Sequence, residues 1–414
     1  MPALVVSCVY AVFLLASAIG TSQVPTGTPQ YGRPQDRKER RQFLSANGPS
    51  RRNTISFATK RDASQQTASI PTVRGRYKDY DQPLHWISEI SLGKKRFKVR
   101  LDTGSADLYV HAHPFPIATV CDSDVPGSWV YSVHQPSSQW GFHSVYDPRE
   151  SATFVDVPGS SAFVGYEGEG DVNGTLGKDA LEFGGIHIES QVFVLAADVM
   201  GVKPEESETD GVLGLALGYT GGDTIRPRLP LFLDNLMPLL EHPVFTADIR
   251  SNSGSFDFGK IESAEFEGQL TNFSINGVGG FWTIDAPVTV AGVAIDLASY
   301  TAPEIDTGSP VIYMSRSIAQ AYYKNVPGAN GDDYAWYMSC SIEPPPLDIT
   351  IGKTYKVSIP GSFMRLATDP KNSSQCVGAL QVSGSFTLLG DPFLKAQFAV
   401  FWPDVPQIGL ASKP

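Results

Sequence analysis

Two short stretches of this 414-residue chain carry the same four residues in the same setting: "RLDTGSADLYV" at 100–110 and "EIDTGSPVIYM" at 304–314. Each reads apolar residue, Asp-Thr-Gly-Ser, then a β-rich apolar run. One such stretch alone is most simply a surface turn. Two in matched settings are unlikely to be chance. If two similar halves of a fold face each other, their turns bring Asp102 and Asp306 within hydrogen-bonding distance. Two carboxyls that close cannot both ionise cheaply, so they share one proton and their pKa values split. The ionised member is a general base for a water held between them. The protonated member is a general acid for a substrate carbonyl. Such a site hydrolyses a peptide bond with no metal and no covalent intermediate. Gly104 and Gly308 let the backbone turn tightly and bring N–H groups to the carboxylates. Thr103 and Thr307 can hydrogen-bond across to the opposite half, and Ser105 and Ser309 can hold the outer carboxylate oxygens.

The elements that must position these turns read as strands. From Tyr77 onward, runs such as "WISEISLG", "KRFKVRLDTGS", "SAFVGYEGEG", "GSFDFGKI" and "SFTLLGDPFLKAQFAVFW" are bounded by Gly or Asp turns. Helical periodicity is scarce, and its best candidates are 229–240 and 315–326. Each half also carries an apolar pair followed by Gly, Val212-Leu213-Gly214 and Leu388-Leu389-Gly390. The order Asp turn, further strands, apolar-apolar-Gly therefore occurs twice. That predicts an internal duplication, two β lobes related by approximate symmetry.

At these residues the chain resembles the pepsin-like aspartic proteases, particularly the secreted fungal branch. The resemblance covers about residues 77–414. Beyond the Asp turns it rests on "DGVLGLALG" (210–218), "GSFDFGKI" (254–261) and "LLGDPFLKAQFAVFWPDVPQIGLA" (388–411). It implies an all-β, bilobal pepsin-like fold of two related β lobes with a central active-site cleft. The lobes would span 77–247 and 248–414. It also implies an aspartic endopeptidase with protein or peptide substrates and a flap hairpin over the cleft. The flap's Tyr would be Tyr166 in "FVGYEGEGDVNG", with Gly168 behind it touching substrate. Of the four Cys, Cys8 lies in the leader, and the resemblance implies a disulfide between Cys340 and Cys376. Their setting on two strand-like segments agrees, and Cys121 is left over. Three features depart from the family pattern. The flap reads Glu-Gly-Glu after Tyr166, Tyr109 stands where a Trp is usual, and an unusually long segment separates Val110 from Val145. Tyr109 puts in doubt the hydrogen bond that would steady the flap Tyr.

The rest of the chain suggests a secreted precursor. Residues 1–20 have the apolar core and small residues of a signal peptide, with a membrane anchor as the alternative. Residues 21–76 read as a basic pro-segment that does not fold alone. They carry eleven Lys/Arg against three acids, a net of +8, which leaves 77–414 at −19 of the whole-chain −11. The dibasic pairs Arg40-Arg41, Arg51-Arg52 and Lys60-Arg61 look like processing sites. A basic arm for nucleic acid is the alternative and fits poorly with a leader peptide, so no nucleic-acid partner is expected. The expectation is thus an extracellular, zymogen-derived monomer with no cofactor, no metal and no membrane association. Sequons at Asn173, Asn272 and Asn372 agree with secretion. His111-x-His113 could in principle hold zinc, but a solvent-exposed loop is the plainer reading of that segment. The rival class is a pepsin-fold protein that binds or inhibits without cleaving, and such a protein would be expected to have lost one Asp or distorted its turn.

Overall fold

The computed structural model describes residues 66–76, 83–112, 130–132, 143–166, 170–200, 208–218, 224–276, 278–332 and 335–414. The strand Lys95–Asp102 shows how local sequence becomes position. Exposed and buried residues alternate from Arg96 to Lys98, whereas every residue from Val99 to Asp102 is buried. A polar end therefore meets solvent, and the other end runs into the centre, where both faces are covered. It pairs antiparallel with Pro83–Leu92, from Leu92↔Lys95 to Ile87↔Arg100. On its other side the strand Gly211–Gly214 runs parallel to it.

The largest sheet continues from the first half into strands drawn from distant parts of the chain. Ala68–Arg76, Gly254–Phe258, Phe245–Ile249, Gln397–Trp402, Gln407–Ser412 and Glu267–Ser274 are neighbours in that order. All five residues of Phe245–Ile249 are buried. The rings of Phe245 and Phe401 stack at 4.6 Å, and Trp282 meets Phe401 edge-on at 5.0 Å. Burying several aromatics against one another gives this shared sheet much of its cohesion, at about 1.5–3 kcal/mol for each fully buried ring.

This shared sheet crosses the boundaries expected from sequence. Ala68–Arg76, the end of the segment expected to be a pro-segment, is a strand of the body. It pairs with Gly254–Phe258 and with Pro83–Leu92, and it buries Ala68 and Ile70. The expected lobe boundary at 247/248 falls inside Phe245–Ile249. Composition did not show this strand because Arg74 and Arg76 are basic, and charge says nothing about which strand a residue joins.

The predicted helices are shorter than their sequence windows. Phe232–Leu236 continues as a 3₁₀ turn over Met237–Leu239, and Arg316–Tyr323 buries Ile318, Ala319, Tyr322 and Tyr323 along one side. A further helix, Asp391–Ala396, follows directly on Leu388-Leu389-Gly390, and its six residues are too few to show a period. In the second half, Trp336–Ser339 pairs with Asn372–Gly378, and Cys340 and Cys376 are joined by a disulfide with 5.0 Å between their Cα atoms. Cys121 lies outside the described residues.

Candidate active site

Both Asp turns are held by the same strand arrangement. Gly211–Gly214 lies parallel to the first Asp strand, with Leu213↔Leu101 and Gly214↔Asp102. It is antiparallel to the outgoing strand Leu108–His111, with Leu213↔Leu108. Around the second turn, Leu388–Leu389 lies parallel to Glu304–Ile305, with Leu389↔Ile305, and antiparallel to Ile312–Met314, with Leu389↔Ile312. Leu108 and Ile312 each stand six residues beyond their Asp, so the register is duplicated. Leu101, Leu213, Ile305 and Leu389 are all fully buried. The apolar pair slots between the two arms of its turn and fixes where each Asp points.

The two turns meet at their carboxyls. Gly104 N–H donates to Asp102 Oδ1 at 2.9 Å, and Gly308 N–H donates to Asp306 Oδ1 at 2.7 Å. Each carboxyl also lies against the glycine of the opposite turn. A methyl group on Gly308 would sit 2.2 Å from Asp102 Oδ1, and one on Gly104 would sit 2.7 Å from Asp306 Oδ1. Glycine is required at both positions because the carboxylate of the opposite turn occupies the space of a side chain. Burial, the charge of Asp102 and a hydrogen bond with it push the Asp306 carboxyl well above the ordinary carboxylate range.

Four hydrogen bonds lock the turns together. Thr103 N–H donates to Thr307 Oγ1 at 3.1 Å, and Thr307 N–H to Thr103 Oγ1 at 3.0 Å. The hydroxyls donate in turn across the pair, Thr103 Oγ1 to Ile305 O at 2.8 Å and Thr307 Oγ1 to Leu101 O at 2.7 Å. Each donor and acceptor is out of water, so breaking one costs more than the roughly 1 kcal/mol of an average net hydrogen bond.

The serines differ from the symmetric expectation. Ser105 Oγ donates to Asp102 Oδ2 at 2.6 Å as expected. Ser309 Oγ instead donates to Val311 O at 3.2 Å, so it closes its own turn and does not hold the Asp306 carboxyl. The reason is local backbone: the sequence after Ser309 is Pro-Val, and the Val311 carbonyl is brought back over the hydroxyl.

Tyr166 ends the strand Ser161–Tyr166, opposite Gly170 in the hairpin. Its ring lies 5.7 Å from that of Tyr109, and its buried hydroxyl has no hydrogen-bond partner among the described residues. That is the consequence drawn from Tyr109 in place of a Trp. Glu167, Gly168 and Glu169 lie outside the described residues.

Two groups beside the pair escaped the sequence reading. Arg100 and Glu304 each stand two residues before an Asp. Arg100 Nη2 lies 3.9 Å from Asp102 Oδ2 with both side chains buried, and burial followed by the charges of Asp306 and Asp102 pushes Glu304 well above its ordinary range. The period of two along a strand, which puts residues i and i+2 on one face, was the available signal.

Comparison with known proteins agrees with this geometry. A family model described as eukaryotic aspartyl protease matches residues 85–413.

The chain belongs to the eukaryotic aspartyl protease family.

Among its curated relatives, aspergillopepsin-1 of Emericella nidulans is 30% identical over 334 residues, covering 79% of this chain and 78% of the relative. Podosporapepsin of Podospora anserina is 30% identical over 342 residues, covering 80% and 74%. Aspergillopepsin-1 of Aspergillus clavatus is 29% identical over 336 residues, covering 80% and 79%. As an aspartyl protease the chain is a peptide hydrolase of the aspartic endopeptidase type. Among the described residues no helix is long and apolar enough to cross a membrane.

Behind the first turn this aspartyl protease buries two histidines. His143 Nδ1 lies 3.3 Å from Asp210 Oδ1, and the rings of His111 and His143 are 5.7 Å apart. Asp210 also accepts from the backbone N–H groups of Lys98 and Ser144, at 2.7 and 2.8 Å. Burial first, then the charge of His143, lowers the His111 value from 6.5 to about 4, against an opposing pull from Asp210. The unfolded chain therefore takes up a proton on His111 before the folded one does. Stability is lost as pH falls from about 6.5 to about 4 and is flat below. His111→Phe should lose less stability over that interval, by about 2–3 kcal/mol in denaturant unfolding. Equal losses in variant and parent would show that His111 titrates normally.

Proposed function

We propose that the chain is a secreted endopeptidase, made as a latent precursor, that cleaves peptide bonds at acid pH through Asp102 and Asp306. The observation that carries this reading is the seating of each carboxyl against the opposite glycine, with the paired threonines bridging the two turns. A water between two carboxyls that share one proton can be activated by Asp102 as base. Asp306, which retains its proton, donates it to the scissile carbonyl as the oxygen gains charge. Gly104 and Gly308 supply N–H groups to the carboxyls, and Thr103 and Thr307 keep their separation. Ser105 orients Asp102. Tyr166 and, in this reading, Gly168 close over the substrate and hold its chain near the water. The reaction needs no cofactor or metal, and one chain contains the whole site, as a monomer requires.

The leader at 1–20 would be removed on secretion, and the basic stretch after it would cover the acidic body until cut. Because Ala68–Arg76 belongs to the body, Lys60-Arg61 suits the cut better than a boundary at 76. Cleavage there starts the mature chain at Asp62, six residues ahead of that strand. Acidification protonates body carboxylates and weakens the hold on a basic segment.

The test is to secrete the precursor, purify it at neutral pH and then acidify it. It should be latent before acidification. Afterwards it should carry an N-terminus at Asp62 and cleave an acid-denatured protein, with cleavage blocked by a statine-type peptide. A correctly processed chain with no cleavage at any pH would favour a non-catalytic binding protein. An N-terminus at Asn53 or Tyr77 would overturn the proposed cut.

A further inference from the structure

The register that duplicates the two Asp turns also makes Arg100 and Glu304 equivalent. Val212 stands opposite Arg100 and Leu388 opposite Glu304, each one position before the apolar residue that packs beneath the Asp. Being two residues before Asp102 and Asp306 on extended chain, both side chains project from the same strand face as the carboxyls. The equivalent positions carry opposite chemistry, a permanent cation in one half and a carboxyl in the other.

The surroundings of Arg100 come from several elements. On its own strand, Asp102 Oδ2 is 3.9 Å from Nη2. From Pro83–Leu92, His85 Nδ1 is 3.3 Å from Nη1. From the hairpin, the Tyr166 ring centroid is 5.9 Å from the guanidinium carbon. Asp107, on the loop after the turn, adds a further carboxyl near the Tyr166 hydroxyl, and Asp306 feels Arg100 from the second half. The side chain is 7% exposed, so water screens little of this. On the other side, Glu304 Oε1 is sealed from solvent and has no hydrogen-bond partner among the described residues. It brings no compensating cation to Asp306.

We infer that Arg100 is a positioning residue of the reaction: its guanidinium keeps the single negative charge of the pair on Asp102, leaves the shared proton on Asp306, and moves the enzyme's working range toward acid. Asp102 already accepts from Gly104 N–H and Ser105 Oγ, whereas Asp306 accepts from Gly308 N–H and is not held by Ser309. Arg100 adds a full charge to the side with the greater number of donors. Burial raises the Asp306 carboxyl and Arg100 opposes that rise, so removing the cation should shift both ionisations of the pair upward.

This inference rests on the shared-proton reading, and the experiment separates the two. The measurement is kcat/KM from pH 2 to 7 on a peptide without ionisable side chains near the cleaved bond, for the parent and for Arg100→Lys, Arg100→Gln and Arg100→Met. Binding of a statine-type peptide over the same range is a second readout. Gln and Met differ in shape, so either one folding is sufficient, and unfolding midpoints report which does. In both, the acid and alkaline limbs should move up together by about one unit or more, the low end of the shift that an adjacent Arg exerts on an Asp. At a pH on the parent's acid limb, kcat/KM relative to its own maximum should then fall at least roughly tenfold. Arg100→Lys should keep both limbs near the parent's. Limbs that stay in place while the maximum drops would make Arg100 merely structural and overturn the inference, as would limbs that move toward acid. Substantial turnover in Asp102→Asn or Asp306→Asn would instead sink the shared-proton reading itself.

Discussion

Asp102→Asn and Asp306→Asn should each lower kcat/KM by roughly three or more orders of magnitude while the fold survives. Asn keeps the shape of Asp and its side-chain oxygen can still accept from Gly104 or Gly308. It cannot share a proton, so the one remaining carboxyl cannot supply base and acid together. The two variants should differ in stability. The Asp306 carboxyl lies well above the ordinary range in the folded protein because burial and Asp102 disfavour its charge. A carboxyl with a raised folded value gives stability that is present at low pH and lost as pH rises from about 4 toward that folded value. Asp306→Asn removes this liability, so its unfolding midpoint should match the parent near pH 3 and exceed it near pH 6. Turnover within tenfold of the parent in either variant, at any pH from 2 to 7, would rule out the mechanism. An Asp306→Asn midpoint that parallels the parent at all pH values would show that the pair is not strained by charge.

Gly308→Ala should lower kcat/KM by about two orders of magnitude or more. The new Cβ would lie 2.2 Å from Asp102 Oδ1 and 2.6 Å from its Cγ, inside the carboxylate it faces. Either Asp102 leaves its place or the second turn retreats, and the Thr103–Thr307 bonds oppose the retreat. Gly104→Ala meets Asp306 Oδ1 at 2.7 Å and should cost less. The measurement is kcat/KM for both variants beside the inhibition constant of a statine-type peptide, which spans the same space. A Gly308→Ala enzyme within threefold of the parent would mean that the turns stand further apart than they do here.

Much of the site was legible because it is local and repeated. A carboxylate followed two residues later by glycine makes its own backbone hydrogen bond, as Gly104 and Gly308 both do. An apolar pair before a glycine needs two flanking strands, and Leu213 and Leu389 each found them at the same offset from an Asp. Alternation and turn residues named most strands, because one face of each is buried and the period of two survives in the sequence. What Ser309 touches could not be read from the motif, since one carbonyl two residues on decides it. The strand Ala68–Arg76 was hidden by its own arginines. Its membership in the sheet depends on Gly254–Phe258, nearly two hundred residues away in sequence.

The sequence by itself therefore determined that two Asp turns come in matched copies and that each copy is a turn between β-strands. Only the tertiary structure decided what surrounds them. It buried Arg100 beside Asp102, shut Glu304 Oε1 from solvent, closed Ser309 on its own turn, and set His111 against His143, which meets Asp210. The physical reason is range. Turn geometry and strand alternation are written within a few residues, whereas the cost of a charge depends on every group packed around it, and those groups arrive from strands far apart along the chain.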